Sequence, residues 1–382
     1  MRRLVGILFA CSSIATPLPA EAPVLTAVKA VGREGQGNTS AAAAWKKLAA
    51  SDVNALPEVL AAFDGANATA ANWLRSAADA IVERHHAGNG KVDAALLTTF
   101  VLDVRHNPTA RRLAYDYLKA DHPGAASKLL PKFLKDVQPD LRREAVEQKL
   151  DGFKTLKDDK ALVAAYRDTL SDARDDDQIT QIARKLEELK EPVNLTKHFG
   201  FITEWTVSAP FDNKGGAGFA IAYGPETKPG RDGWKYTQSS EVMGTMDLNK
   251  AIAKQKDLVA YASATLVLDK PTTLDVRAES QNAVKIFVNG KEVLAREEYH
   301  HGAFLDQHVA TVTLNAGDNE VLLKVCQNDQ TQPWCEPWGF ACRLSDGTGL
   351  AVRPQQRIIR DGKPVLVNLG ELAASAQKKE GK

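Results

Sequence analysis

The side chains best suited to chemistry gather in two aromatic stretches of the C-terminal half. One holds Trp334, Glu336 and Trp338; the other holds Phe211, Asp212 and Asn213 and, further on, Trp234 and Tyr236. Indole and phenol faces stack on sugar C–H groups while amides and carboxylates bond hydroxyls, so this mixture suits a carbohydrate site on a rigid scaffold. Trp205 and Trp338 are expected in packed interior. Trp234 and Trp334, beside proline, glycine and charged residues, are the candidates for exposed stacking faces. His300, His301, Asp306 and His308 form the remaining concentration of ligating types. Their spacing matches no established zinc pattern and neighbouring strand residues point to opposite faces. His300 and Asp306 therefore join the candidate ligand-binding residues as polar loop groups, and no metal is assigned.

Standard catalytic signatures are missing. The chain has no G-x-S-x-G elbow, no H-E-x-x-H helix and no G-x-x-x-x-G-K-[ST] loop. Gly215-Gly216-Ala217-Gly218 lacks the third glycine and the following helix of a dinucleotide fingerprint. Asp175-Asp176-Asp177 lacks the spacing of a calcium loop and is expected to complement the N-terminus of a helix at 178–190. His85 and His86 are adjacent, so they do not share a helix face and are expected at the surface. Paired carboxylates for glycoside hydrolysis depend on a three-dimensional separation that sequence does not encode directly.

Lys+Arg 49 against Asp+Glu 48, with 44% hydrophobic and 25% charged residues, describes a globular chain without the basic excess that nucleic acid selects. No run reaches the length of a membrane helix. Residues 1–20 read as a secretory signal: Arg2 and Arg3 precede an apolar run at 4–10, small residues follow, and cleavage is expected after Ala20. A secreted or periplasmic location follows. In an alternative, Leu8-Phe9-Ala10-Cys11 resembles a bacterial lipobox and would place a lipid anchor on Cys11. Cys326, Cys335 and Cys342 remain, an odd count. Cys326 and Cys342 fall on two expected strands joined by a loop, so a bridge between them, or from Cys335 to either, is geometrically open; three buried free thiols is the other reading.

The elements that must position these groups change character near residue 190. Residues 21–40, rich in Ala, Gly, Pro and Thr, suggest a linker. From 41 to 190 the period is helical, with expected helices at 41–50, 53–63, 68–86, 91–104, 109–120, 125–135, 140–150, 160–170 and 178–190. Beyond 199, short alternating runs predict strands at 201–207, 259–268, 272–278, 284–288, 293–296, 310–314, 320–326 and 340–344. The clearest pair is the hairpin at 284–295, where Asn289-Gly290 supplies a type I′ turn and places Ile286 opposite Val293 and Val284 opposite Ala295. Its apolar face must be covered by a second sheet. Asp361-Gly362 marks a second hairpin, and the tail beyond 371, with Lys378, Lys379 and Lys382, is expected to be disordered.

Two resemblances follow. Asn107-Pro108-Thr109-Ala110-Arg111-Arg112-Leu113-Ala114 recurs as Gln138-Pro139-Asp140-Leu141-Arg142-Arg143-Glu144-Ala145, and Leu56-Pro57-Glu58-Val59-Leu60 as Leu130-Pro131-Lys132-Phe133-Leu134. This pattern resembles HEAT-like repeats, which imply stacked helix pairs offering a surface to a protein partner. The second rests on Trp205, Pro210-Phe211-Asp212-Asn213, Gly215-Gly216-Ala217-Gly218-Phe219, Ala260-Tyr261-Ala262, Tyr299-His300, Asp306-Gln307, Leu322 to Asn328 and Trp338-Gly339-Phe340. In that order these motifs are similar to galactose-binding-like sandwich domains of exported bacterial proteins, with Ala209 in place of the usual glycine. Such domains permit a structural calcium, which here could recruit Asp212 or Asp306.

The expected organisation is a multidomain α and β protein: signal 1–20, linker 21–40, HEAT-like helical domain 41–192, galactose-binding-like jelly-roll sandwich 193–352, and a hairpin and tail at 353–382. The expected function is a non-enzymatic exported scaffold, with a glycan or other surface ligand on the sandwich and a protein partner on the helices. The alternatives are a purely structural interaction module and a polysaccharide hydrolase.

Overall fold

The computed structural model describes residues 23–371 other than Pro229, Ser240, Glu241 and Asp361. The expected signal, Cys11 and the lysine-rich tail lie outside the described residues. The chain divides into two compact units, Met1–Leu129 and Leu130–Lys382, so the division falls inside the stretch 41–192 that the sequence marks as one helical domain.

The first unit is built from α1 (Pro23–Lys29), α2 (Asn38–Ala49), α3 (Leu56–Ala61), α4 (Ala68–Ala87), α5 (Ala94–Leu102), α6 (Pro108–Asp121) and α7 (Pro123–Leu129). Helices begin where a side chain takes the free N–H groups of the first turn. Asn67 Oδ1 accepts from Ala70 N at 2.9 Å, Asp93 Oδ1 from Ala95 N at 2.7 Å, and Asn107 Oδ1 from Thr109 N at 2.8 Å. The linker expected at 21–40 is instead structured in its described part. Leu25, Val28 and Val31 are buried at helical spacing, and α1 packs on α2. Three large apolar residues on one face outweigh the Ala, Gly and Thr composition around them.

The second unit starts with α8 (Pro139–Gly152), α9 (Asp159–Asp172), α10 (Asp176–Glu188) and α11 (Leu195–Phe199). The recurring motif builds the same start twice. Pro108 and Pro139 each open a helix whose preceding side chain caps it, and Arg111 and Arg142 are both buried and donate to a backbone carbonyl shortly upstream, Val101 at 2.8 Å and Asp136 at 2.6 Å.

The strands follow: β1 (Glu204–Val207), β2 (Phe211–Asp212), then α12 (Gly224–Thr227), β3 (Lys235–Gln238), β4 (Met246–Asp247), α13 (Leu248–Ala251), β5 (Leu258–Leu268), β6 (Thr272–Glu279), β7 (Ala283–Val288), β8 (Lys291–Arg296), β9 (His308–Leu314), β10 (Gly317–Gln327), β11 (Gly339–Ser345), β12 (Gln355–Arg360) and β13 (Lys363–Asn368). The larger sheet runs β13-β12-β5-β10-β7-β8, with β1, β2 and β3 joined alongside β5; the smaller runs β4-β11-β6-β9, and every pairing is antiparallel. A helical N-terminal region thus precedes antiparallel sheets, as the change of period predicts.

The sheets close on one core, with Leu266, Ile286, Leu323 and Val325 from the larger and Val276, Phe340 and Leu344 from the smaller. Each such side chain contributes about 1.5–3 kcal/mol when buried. Trp205 and Trp338 are both 1% exposed, and Trp205 meets Phe340 edge to face at 5.0 Å.

Asn289 and Gly290 have φ of 51° and 78°, the geometry expected of the hairpin turn. The register differs from the sequence expectation: Ile286 faces Leu294 and Val284 faces Arg296, because a bulge between Ile286 and Phe287 leaves Val293 as an extra residue. The apolar face of this hairpin is also not its only covered face. Phe287 joins Val259, Tyr261, Leu322 and Cys326 in a second cluster on the outer side of the larger sheet, under Phe211, Phe219, Tyr223 and Trp234. The smaller sheet is covered on its outer side too, since Val146, Leu170, Ile182 and Leu186 of α8–α10 share a cluster with Phe199, Phe201 and Ala341.

These two-sided coverings decide the cysteines. Cys326 points into the outer cluster and Cys342 into the core between the sheets, and Cys326, Cys335 and Cys342 are all free. The bridge between Cys326 and Cys342 is therefore not formed, because adjacent-looking strands turn the two thiols to different layers. Burial pushes both thiols up to about 12, so they stay protonated at neutral pH. Reductant is expected to leave the unfolding temperature unchanged, and all three thiols should alkylate only after denaturation; a peptide linking Cys326 to Cys342 in a non-reducing digest would overturn this.

Candidate functional site

A cleft of the second unit, about 700 Å³, opens where three polar segments meet at one end of the sandwich. The first is Asp247 with Asn249, Lys250 and Lys254, around α13; the second is Glu279 with Ser280, Gln281 and Asn282, at the β6–β7 turn; the third is Glu336, which leads into β11. Trp338 and Phe340 border it too, each 1% exposed with its ring in the core between the sheets.

Side-chain bonds hold these segments in place. Asn282 Nδ2 donates to Gln327 Oε1 at 2.8 Å and to Pro337 O at 3.2 Å, and its Oδ1 accepts from Gly339 N at 3.1 Å. Ser280 Oγ donates to Gly339 O at 2.8 Å. A Cβ at Gly339 would lie 2.4 Å from Met246 O, so β11 approaches β4 this closely only because that residue is glycine. Asp247 caps α13 through Lys250 N at 3.2 Å, Asn249 Nδ2 donates to Glu336 O at 3.0 Å, and Lys254 pairs with Glu336 at 3.1 Å.

Glu279 is the unusual member. It ends β6 opposite Ala341 and accepts no hydrogen bond from the described residues. Burial, with the Asp306 and Asp176 carboxylates nearby and only Arg343 opposing, raises its carboxyl to about 7. Near neutral pH it both donates and accepts protons readily.

Of the residues expected from sequence, Glu336 lines this cleft. Trp334 stands two positions before it on the turn Pro333–Cys335, 69% exposed, without lining the cavity. The second aromatic stretch does not join them. Phe211 packs against Tyr223 and Tyr261 at 4.7 and 5.6 Å, and Trp234 lies under Arg231 at 5.0 Å. Both cover the outer face of the larger sheet. Asp212 offers its carbonyl to Tyr223 Oη, Asn213 is fully buried with Nδ2 on Gln327 O at 3.0 Å, and Tyr236 Oη donates to Glu204. This stretch is a lid on the sheet.

His300 and Asp306 act beside the cleft rather than in it. His300 pairs with Asn328 through Nε2, and its N–H donates to Gln281 O at 2.7 Å, which fixes one wall residue. Both Asp306 oxygens are occupied: Arg343 donates through Nε and Nη2 at 2.6 Å each, and Arg277 through Nη1 at 2.7 Å. Burial alone would raise this carboxyl, but the two guanidinium groups hold it below the usual range. Among the described residues no three His, Cys, Asp or Glu side chains are placed to hold a metal ion.

Sequence inspection missed Asp247, Asn249 and residues 279–282. The available signal was the Ser280-Gln281-Asn282 break between two apolar strands, which marks a sandwich end.

No family model and no curated protein matches this chain. Among solved structures it is similar to the PA14 domain of an antifreeze protein, at 9% identity over 29% of this chain and 49% of that one, with a TM-score of 0.18. It is similar also to an uncultured Clostridium sp. β-glucuronidase, at 11% identity over 44% and 32% with a TM-score of 0.25. A third is the PA14 sugar-binding domain from an RTX adhesin, at 15% identity over 30% and 53% with a TM-score of 0.17. The chain spans about half or less of each, and scores this low carry no argument about function.

Two outcomes follow from the charges. Asp306→Asn should cost about 3–5 kcal/mol in urea unfolding, because it leaves Arg343 buried without its carboxylate, while Arg277 keeps Asp275 at 2.8 Å; a loss under about 1 kcal/mol would remove Asp306 from this role. For Glu279 the folded carboxyl lies above its unfolded value of 4.5, so the folded state holds the proton more tightly and stability falls as pH rises from about 4.5 to about 7. Glu279→Gln should accordingly raise the unfolding temperature relative to the parent at pH 8 by about 2–4 °C more than it does at pH 4. An equal difference at the two pH values would sink the assignment.

Proposed function

We propose that the sandwich binds carbohydrate in the cleft between α13, the β6–β7 turn and the start of β11. The observation that carries this is the composition of the wall: amide, hydroxyl and carboxylate groups from Asn249, Ser280, Gln281, Asp247 and Glu336 line one cleft. Sugars present hydroxyls at their rims, which such a wall can bond. Trp334, exposed and two residues from Glu336, supplies a stacking face on the same loop. Trp234 does not serve this role, because it is half-buried beneath Arg231.

On this reading the protein is an exported binding scaffold. Export rests on Arg2, Arg3 and the apolar run at 4–10, with the lipid on Cys11 as the alternative form. No described helix is long and apolar enough to cross a membrane. The helical units would then engage a protein partner in the manner of HEAT-like repeats.

One observation favours a second reading, hydrolysis. Glu279, whose carboxyl burial raises to about 7, lines the same cleft as Asp247 and Glu336, and a carboxylic acid in that range suits general acid work on a glycosidic bond.

The full chain on a glycan array should bind a defined set of sugars. Trp334→Ala and Glu336→Ala should each weaken that binding about tenfold or more, a loss of about 1.4 kcal/mol, while Trp234→Ala leaves it unchanged. Absence of any glycan signal from folded protein refutes the sugar site. Release of reducing ends that Glu279→Gln abolishes would convert the binding site into an active site.

A further inference from the structure

A second cavity in the Leu130–Lys382 unit, about 210 Å³, is walled by basic groups without any carboxylate. Arg174 enters from the end of α9, His198 from α11 and Arg353 from the segment before β12, with Ser171, Phe199 and Gly349 between them. We infer that this cavity is a binding site for a small oxyanion of the phosphate or sulfate class.

The reason is guanidinium charge that meets no direct ion-pair partner within the described residues. Arg174 Nη1 donates only to the carbonyls of Ser171 at 2.8 Å and Ala173 at 2.7 Å, and its Nε is buried without a partner. Arg353 donates from Nε and Nη2 to Lys197 O and from Nη2 to His198 O at 2.6 Å. Neither arginine forms an ion pair among the described residues. The nearby carboxylates oppose the charge of Arg174 without a direct ion pair: Asp172 pairs with Lys149 at 2.8 Å, Asp306 serves Arg343 and Arg277, and Asp346 Oδ1 accepts from Thr348 Oγ1 and from the N–H groups of Thr348 and Leu350.

Behind the wall two further guanidinium groups approach, each paired with a carboxylate on its far side. Gly349, with φ of 89°, is the point where the guanidinium groups of Arg277 and Arg343 come within 3.6 and 3.8 Å of a Cβ position and the Arg174 side chain within 3.9 Å. The titration behaviour agrees with this field. Burial, then Arg353, Arg174 and Arg343, lower His198 to about 4, so the imidazole is neutral at pH 7 and presents a hydrogen-bond donor without adding charge. Planar guanidinium forks and a neutral imidazole N–H are what a tetrahedral oxyanion accepts from. The volume admits such an ion and excludes a polymer chain, and the partly exposed Arg353 gives it a route from solvent.

The test uses the full chain with inorganic sulfate, which stays dianionic through the titration of His198. At constant ionic strength, sulfate should raise the unfolding temperature saturably where chloride and acetate do not. It should also raise the His198 pKa followed by NMR, because binding and protonation are reciprocally linked. Arg174→Gln should weaken sulfate binding at least tenfold by calorimetry and erase the thermal shift. Arg353→Gln is the second variant, since either may disturb folding on its own and the parent NMR titration needs neither. A sulfated monosaccharide binding more tightly than free sulfate would place the anion on a larger ligand, and equal binding would assign the site to the free ion; both support the site. An unfolding temperature that is the same in sulfate and chloride, together with an unmoved His198, would overturn it.

Discussion

The fork from Asp306 to Arg343 and Arg277 is the interaction on which both ends of the sandwich depend. Arg343 is 1% exposed and sits on the outward side of β11, where it also donates to Phe199 O at 3.2 Å and stacks over the Phe199 ring at 5.5 Å. A guanidinium in that position is tolerable only with a carboxylate against it. Asp306 supplies it from a left-handed backbone position, φ 60°, in the loop before β9. The same carboxylate raises Glu279 in the large cleft, and the same arginine lowers His198 in the small cavity. One buried ion pair therefore adds to the shift that burial causes in a group at each end.

The outer face of the larger sheet has its own buried charge. Lys324 lies in the middle of β10 with no exposure, and Nζ donates to Glu226 Oε1 at 2.8 Å, Ile221 O at 2.6 Å and Phe219 O at 3.1 Å. Glu226 also accepts from Tyr261 Oη. All three Lys324 donors are used, so the desolvation of the ammonium is offset by one charge and two carbonyls. Those carbonyls belong to the segment that carries Phe211, Tyr223 and Trp234. The aromatic stretch is thus fastened down by a lysine beneath it, with Phe211, Tyr223 and Trp234 packed on the sheet.

Much of this architecture was legible in the chain. The helix starts at Pro108 and Pro139, the turn at Asn289-Gly290 and the strand order of apolar alternation all express local rules that act within a few residues. Glu336 and Trp334 were legible as loop residues because Pro333 and Pro337 bracket them. What was not legible depends on which layer lies over a residue. Lys324 in V-L-L-K-V-C reads as the wet side of a strand until residues 211–234 are known to cover it. Glu279 reads as the polar end of β6 until Asp306 and Asp176, far along the chain, are found beside it. The bulge that shifts Leu294 opposite Ile286 arises from packing on both faces and leaves no mark in a period-two pattern.

β11 shows how a single strand can serve two sites of opposite character. Its alternation sends Phe340, Cys342 and Leu344 into the core and leaves Ala341 and Arg343 facing the helices. The first residues, 339–341, border the cleft whose Glu279 lacks a cationic partner of its own, while Arg343 two positions later stands behind the cavity whose Arg174 and Arg353 lack an anionic one. The mismatch is local at each end, since Asp306 is fully engaged between them and can serve neither. The proposed carbohydrate and the proposed oxyanion differ in chemistry accordingly, although a few residues of one strand separate their sites.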